Sequence, residues 1–207
     1  FDNCTFSGNW GTYGGAVSRV RGDVRFDDCT FDGNQALYSG GAIFAYDHSS
    51  ADLTDCTLTN NSAIDDEDGD GMDDDGYAGT GGALCGWYKT AIVIDRGTIQ
   101  NNEAHYGGAV LVYDESFCEV IETTAEGNSA GKWEWPGYLA WAGSAVTFSG
   151  TCTADDIGAV YAGSEISFAS DSSVDVAGDP TVRTSNKGMR HSHRTVSYTH
   201  LRAHEPL

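Results

Sequence analysis

The sequence predicts an all-β fold, a right-handed parallel β-helix (solenoid) of about five to six coils. A short motif recurs roughly every 26 residues, each repeat contains three short stretches of alternating polarity, and 27 glycines stand against only 3 prolines. Strands this short cannot bury a core alone, whereas stacked repeats can. An antiparallel sandwich is the alternative, but its hairpins would not return identical residues to one position in every repeat.

The first element of each repeat is a Cys-Thr-Phe-x-x-Asn strand and turn. Its copies are Cys4–Asn9, Cys29–Asn34, Cys56–Asn61, Gly97–Asn102 and Thr123–Asn128. Equivalent residues of successive coils lie one rung apart, about 4.8 Å. The apolar third residues therefore predict an inward column of Phe6, Phe31, Leu58, Ile99 and Ala125. The last residues predict an asparagine ladder, in a left-handed turn that Asn tolerates: Asn9, Asn34, Asn61, Asn102 and Asn128.

The second element is a Gly-Gly-Ala turn followed by an aliphatic residue. Its copies are Gly14–Val17, Gly40–Ile43, Gly81–Leu84, Gly107–Val110 and an altered Gly143–Val146. The glycines allow a sharp bend and a close approach to the coil below. The aliphatic residues predict a second inward column that ends at Val146. A third apolar stretch precedes the next repeat, at Val24–Phe26, Ala51–Leu53, Ile92–Ile94 and Cys118–Val120.

These paired motifs resemble the repeats of the polymorphic outer-membrane protein family and, more broadly, the β-helical, autotransporter-like passengers of bacterial surface adhesins. The matching segments are Phe6–Asn9, Phe31–Asn34, Leu58–Asn61 and Ile99–Asn102, together with the glycine motifs. The resemblance covers about residues 1 to 150. It implies the coil architecture, an extracellular or bacterial cell-surface location, and an adhesin-like role.

Charge and hydropathy exclude several partners. The formal net charge of −20 repels phosphate backbones and anionic lipid, so the sequence predicts no nucleic-acid partner. No apolar run approaches the roughly 20 residues of a transmembrane helix, so it also predicts no membrane span.

An acidic insertion separates Asn61 from Gly81 by 20 positions, where the regular copies use 5 or 6. Within it, alternating acids followed by a glycine fit a calcium loop, with ligands Asp66, Asp68, Asp70, the Met72 carbonyl and Asp74. The Asp66–Gly71 segment also resembles the calcium loops of thrombospondin type three and dockerin repeats. Tyr77 stands where such loops carry a bidentate acid, so we expect weak calcium binding. A solvated charge run is the alternative.

A second insertion, at about 129–142, is aromatic. Trp133, Trp135, Tyr138 and Trp141 could stack on the sugar rings of a glycan, or could fold down and cover the coil. Tyr13, Tyr38 and Tyr106 each lie just before a glycine pair and should line the same edge.

Cysteines and candidate catalytic groups give weaker signals. Cys4, Cys29, Cys56 and Cys152 fall in one column, as buried thiols or as a disulfide such as Cys29 to Cys56. A glycosidase needs two carboxyls facing across a groove. The nearest pairs, Asp27–Asp28 and Asp155–Asp156, both lie at coil corners. A lyase needs a convergent basic cluster, and the only group belongs to one connecting turn: Arg19, Arg21 and Arg25. His48 and His105 stand alone. The sequence thus predicts no catalysis.

The chain divides into a β-helix fragment at 1–182, with insertions at about 62–80 and 129–142, and a disordered tail at 183–207. Ser197–Glu205 resembles the conceptual translation of a transposase adapter used in sequencing libraries, so we exclude roughly residues 190 to 207 from the fold. We expect a non-catalytic extracellular scaffold that binds a glycan or cell-surface protein along its loop-bearing edge, with calcium ordering the loop. The alternative is a fragment of a β-helical polysaccharide lyase or glycoside hydrolase.

Overall fold

The structure is a computed structural model that describes residues 1–64, 79–130, 137–154, 157–160, 163–170, 172–176 and 201–202. These residues form strands joined by turns, without a helix among them. The strands are β1 (Thr5–Ser7), β2 (Trp10–Tyr13), β3 (Val17–Asp27), β4 (Thr30–Asp32), β5 (Gln35–Ser39), β6 (Ile43–Thr54), β7 (Thr57–Thr59), β8 (Ser62–Ala63), β9 (Leu84–Trp87), β10 (Ala91–Asp95), β11 (Thr98–Gln100), β12 (Glu103–Ala104), β13 (Val110–Tyr113), β14 (Phe117–Ile121), β15 (Thr124–Glu126), β16 (Ser129–Ala130), β17 (Tyr138–Trp141), β18 (Ala145–Ser149), β19 (Thr151–Ala154), β20 (Ile157–Val160), β21 (Glu165–Phe168), β22 (Ser173–Val176) and β23 (Leu201–Arg202).

The strands form four sheets in which every described pair is parallel. The first sheet runs β1-β4-β7-β11-β15 and the second β16-β12-β8-β5-β2. The largest sheet has ten strands, ordered β20-β17-β13-β9-β6-β10-β14-β18-β21, with β3 beside β6. The fourth is β19-β22-β23, so Leu201–Arg202, within the segment assigned above to the tail, pairs with β22. Parallel sheets between successive repeats are consistent with a β-helix or solenoid.

Columns of inward side chains build the core. The first sheet confirms the predicted column of Phe6, Phe31, Leu58, Ile99 and Ala125, which are in register. Phe6 and Phe31 stack with ring centroids 4.8 Å apart. Phe26 meets Phe31 edge to face at 5.0 Å, which joins the first sheet to the largest one. The third predicted column is also confirmed, since Val24, Ala51, Ile92 and Cys118 are in register.

The second inward column ends differently from the prediction. Ile43, Leu84 and Val110 are in register, but the next residue in the column is Tyr138. Val146 instead lies beside Cys118 in the third column. Backbone N–H groups of residues 109 and 110 donate to the Gly137 oxygen, just as those of residues 83 and 84 donate to the oxygen of residue 109. Gly137 and Tyr138 therefore fill the last two places of the fifth motif, and its assignment to Gly143–Val146 is wrong.

The repeated asparagines stack at the corner that follows the first strand of each coil. Asn34, Asn61 and Asn102 are fully buried. Each Oδ1 accepts hydrogen bonds from the backbone N–H and the side-chain amide of the asparagine before it, as at 3.0 and 2.9 Å between Asn34 and Asn61. The Asn61 amide also donates to the Phe31 oxygen at 3.1 Å. The left-handed residue is the one before each asparagine, such as Asn60 with φ 56°, and not the ladder asparagine itself.

The opposite end of the same short strands is a second stack, the charged corner. Its members all have positive φ between 45° and 52°: Asn3, Asp28, Asp55, Arg96 and Glu122. The Arg96 guanidinium bonds the Asp55 carboxylate at 2.9 and 3.0 Å and Asp95 at 2.6 Å.

The second glycine of each motif lies against the backbone of the next coil. A Cβ on Gly41 would collide with the Gly82 oxygen, and one on Gly82 with the Gly108 oxygen. Any side chain here would push the coils apart, which confirms the predicted close approach.

All six cysteines are free thiols. The backbone N–H groups of Thr30 and Thr57 donate to the carbonyl oxygens of Cys4 and Cys29. These bonds between successive coils confirm that both cysteines share a column with Cys56. Within the described ranges, no helix has the length and apolar character needed to cross a membrane.

Candidate functional site

The outward face of the largest sheet carries an apolar row. Side chains alternate between the two faces of a strand, so the residues that follow the second inward column point away from the core. They are Phe44, Cys85, Leu111 and Leu139, in register on β6, β9, β13 and β17. Each is at most 5% exposed, so other side chains must cover this row.

An aromatic column covers one side of that row. Two positions further along the same strands, Tyr46, Trp87, Tyr113 and Trp141 are in register. Neighbouring rings meet edge to face, with centroids 6.1, 5.4 and 5.9 Å apart. This geometry is favoured between aromatic rings, so the column forms a continuous wall.

The opposing wall comes from the chain that precedes the glycine motifs. Tyr13, Ser39, Thr80 and Tyr106 lie on successive rungs. Rings close both ends, because Tyr13 packs on Phe44 at 5.1 Å and Tyr106 packs on Trp141 at 5.4 Å. The two middle positions hold small side chains, which leave space between the walls.

That space is a partly open cavity of about 230 Å³, which we call the aromatic pocket. Cys85 and Leu111 form its floor. The Ser39 and Thr80 hydroxyls, hydrogen-bonded at 2.7 Å, lie on one side. Trp87, Tyr113 and Trp141 lie on the other side.

The described lining of the pocket is uncharged near neutral pH. Its thiol, Cys85, contacts the Thr80 hydroxyl at 3.6 Å. Burial raises the pKa of Cys85 to about 12, so the thiol stays protonated and is not a nucleophile. The lining contains no carboxylate, imidazole or basic side chain among the residues described. This arrangement can hold a neutral ligand segment and provides no described group for acid–base catalysis.

The structure separates the four aromatic residues predicted to bind a ligand. Trp141 lines the pocket. Tyr138 is fully buried and its ring meets Phe148 at 5.2 Å, so its predicted contact with a ligand is wrong. Trp133 and Trp135 lie outside the described residues. Residues 138–141 are the regular strand β17 and not part of an insertion, because their backbone pairs in register with β13.

The predicted calcium ligands all lie outside the described residues: Asp66, Asp68, Asp70, Met72 and Asp74. The chain on both sides is described. A Cβ on Gly79 would collide with the Ala63 oxygen, so the backbone before and after the acidic segment lies together. Thr80, a pocket residue, follows directly. In the described part of the chain, no three metal-ligating side chains converge.

The side chains considered for catalysis do not form a described site. Asp27 ends β3 and Asp28 belongs to the charged corner, whereas Asp155 and Asp156 lie outside the described residues. Arg21 pairs with Asp47, and a hydrogen bond with His48 is the main cause that lowers the pKa of Asp47. His105 accepts a hydrogen bond from the Gly79 backbone at 3.2 Å. These contacts are structural.

Sequence reasoning predicts one residue of the aromatic column, Trp141, and misses the other three. Tyr46, Trp87 and Tyr113 were not singled out, although each stands three positions after the last residue of a glycine motif. In a strand, the third position after an inward residue faces outward, so an aromatic residue repeated there is a usable signal for an outer wall.

The repeat model of the Chlamydia polymorphic membrane protein matches residues 28–46. This stretch contains both the Cys29–Asn34 and the Gly40–Ile43 motifs and extends into the aromatic wall at Tyr46. No curated protein and no solved structure matches the chain. One coil is thus similar to a polymorphic membrane protein repeat, and the parallel sheets continue its pattern over the neighbouring coils.

Proposed function

We propose that this chain is a non-catalytic repeat scaffold of an extracellular or bacterial cell-surface protein, and that it binds a glycan or a protein partner in the aromatic pocket. The proposal includes a right-handed β-helix of five to six coils over residues 1–182. It also includes an adhesin-like role. The similarity of residues 28–46 to a polymorphic membrane protein repeat supports the surface location.

The pocket is the observation that carries the binding role. Large aromatic side chains on a soluble surface normally fold down over apolar groups, yet here two walls stand apart around a cavity of about 230 Å³. Concave, mostly apolar sites with a few polar groups are where ligands bind, although this one is below the roughly 300 Å³ of pockets for drug-sized ligands. It therefore suits a segment of a longer ligand.

The test is an array of oligosaccharides and peptides probed with the whole chain and two variants. Trp87→Ala removes a pocket wall, and Trp10→Ala removes a tryptophan that is 68% exposed and outside the pocket. We expect at least one ligand that the parent chain and Trp10→Ala retain and Trp87→Ala loses. Ligands bound equally by all three proteins would place binding elsewhere.

Calcium binding by the acidic segment is a second part of the proposal and rests on its ligand spacing. Asp66, Asp68 and Asp70 alternate before Gly71. Calorimetric titration with calcium should show saturable heat with a Kd of roughly 10⁻⁴ to 10⁻³ M, lost in the double variant Asp68→Ala, Asp70→Ala. Absence of heat at millimolar calcium would leave the segment a charged spacer.

The polysaccharide-degrading alternative has its own assay. Incubation with acidic and neutral polysaccharides should release no new reducing ends and no unsaturated products. Release of either product would show an enzyme and overturn the non-catalytic part of the proposal.

A further inference from the structure

We infer that the aromatic pocket binds a proline-rich segment of a partner protein in the polyproline II conformation, with basic residues beside the prolines. This inference rests on the proposed binding function of the same pocket. It selects one ligand class from spacing, hydrogen-bonding groups and charge.

The spacing of the wall matches a polyproline II helix. Trp87 and Trp141 stand two rungs apart, about 10 Å, and both meet the intervening Tyr113 ring edge to face, at 82° and 74°. Tryptophan rings therefore recur along the wall at about the length of one polyproline II turn, roughly 9.3 Å. An extended strand repeats its side chains on one face every 6.8 Å or so, which does not fit this period.

The pocket offers hydrogen-bond donors to a ligand. In the part of the chain that the structure describes, no protein group accepts a hydrogen bond from the Trp87 indole N–H or from the hydroxyls of Tyr13 and Tyr113. A polyproline II backbone presents carbonyl acceptors, and proline has no N–H. Such a ligand needs donors only.

A sugar chain fits this inventory less well. Each sugar hydroxyl is both donor and acceptor, and burying one without a partner costs free energy. The described lining has no carboxylate or amide side chain, so the acceptors it offers are hydroxyl oxygens, and the Ser39 and Thr80 hydroxyls already bond each other. Aromatic-lined grooves are an established mode of recognising preformed polyproline II segments.

Charge indicates the residues beside the prolines. The pocket is uncharged, but the chain as a whole carries −20, and the acidic segment rejoins the coil next to Thr80. Lysine or arginine outside the pocket would be attracted by this field, which raises association rates more than it raises affinity.

The experiment titrates the whole chain with three probes, followed by calorimetry. They are a lysine-flanked oligoproline, a Gly-Ser peptide of equal length with the same lysines, and a neutral gluco-oligosaccharide. We expect the oligoproline to bind, and Trp87→Ala to weaken it about thirtyfold, as for an interface hot spot. Trp10→Ala should leave its affinity unchanged.

A second variant guards against disturbance of the wall, because Trp87 packs on Tyr46 and Tyr113. Tyr113→Phe keeps the ring and removes one donor, so it should weaken the oligoproline by up to about tenfold. Near-ultraviolet circular dichroism checks that both variants keep their packing.

Each other result overturns the inference. Equal affinity for the Gly-Ser peptide would show that charge alone binds, and oligoproline affinity unmoved by Trp87→Ala and Tyr113→Phe would place its site elsewhere. Oligosaccharide binding that Trp87→Ala abolishes would overturn the ligand class and leave the proposed function standing. If neither these probes nor the array yields a ligand sensitive to Trp87→Ala, both proposals fail.

Discussion

The asparagine ladder and the charged corner lie at the two ends of the same short strands, and both stack polar residues on successive rungs. The Asn61 side chain is fully buried and makes four hydrogen bonds, two as acceptor and two as donor. The Arg96 and Asp55 side chains are 46% and 49% exposed and pair across one rung. Water can replace the bonds of the charged corner but cannot reach those of the ladder.

The comparison of the two corners indicates that burial, more than charge, determines how much a stack of polar residues contributes to stability. A buried group left without a partner costs its full desolvation penalty, whereas an exposed ion pair contributes little. Changes in the ladder should be severe and changes in the charged corner mild.

The largest expected effect is that of Asn61→Asp. A carboxylate here faces the Phe31 and Asn102 oxygens that now accept hydrogen bonds, and it is buried. We expect a loss of about 4 kcal/mol or more in the free energy of unfolding at neutral pH, measured by urea denaturation. Burial raises the pKa of the new carboxyl, so part of the loss should be recovered as the pH falls. A loss independent of pH would contradict this account.

Asn61→Ala should be somewhat milder, at about 3 kcal/mol. It removes the four side-chain hydrogen bonds and leaves the Asn34 backbone N–H and amide without their acceptor. Asn60→Gly is the matched control, because Asn60 is exposed and left-handed, where glycine is at ease. Equal losses of unfolding free energy in the two variants would contradict the claim that burial makes the ladder hydrogen bonds stabilising.

The buried thiols test the effect of burial in the unmutated protein. Burial raises the pKa of Cys56 from 9.0 to about 11, and also raises that of Cys118. The thiolate fraction of Cys56 at pH 8 is therefore about a hundredfold lower than in the unfolded chain. Iodoacetamide labelling followed by mass spectrometry should modify Cys56 at least that much more slowly in the folded protein. Labelling at the unfolded rate would show that this column opens.

The smallest effect belongs to Arg96→Gln. The Arg96 hydrogen bond lowers the pKa of Asp55, so the contribution of this pair is present above the carboxyl's ordinary pKa and is lost as the pH falls through the lowered value. At neutral pH we expect a change in Tm close to the scatter of the measurement, and smaller still in high salt. A large change would show that the charged corner is stabilised like the ladder.

Sequence reasoning found the columns that repeat by identity. Asn61 and Phe31 have copies at fixed spacing, so their places follow from alignment of the repeats alone. It failed in the fifth coil, where Gly143–Val146 looks like the glycine motif but the backbone places Gly137 and Tyr138 there. The geometry requires a close backbone approach at this turn and not a particular string of residues.

The pocket was only partly predictable for a related reason. The tyrosines before the glycine pairs repeat beside a strong motif, so their place along this edge is predictable. The wall of Tyr46, Trp87 and Tyr113 varies in residue type, and a cavity arises only where Ser39 and Thr80 replace larger neighbours in the column. Small side chains at two positions of a column form no sequence motif that would predict a cavity.

The glycine contacts fix the distance between successive coils, so this distance does not depend on the length of the loops that join the strands. Gly41, Gly82 and their neighbours keep the coils in register on both sides of the acidic segment, so the strands that flank it pair as in the regular coils. The position between residues 64 and 79 is therefore a suitable grafting point, at which foreign peptide libraries could be displayed for directed evolution next to the aromatic pocket.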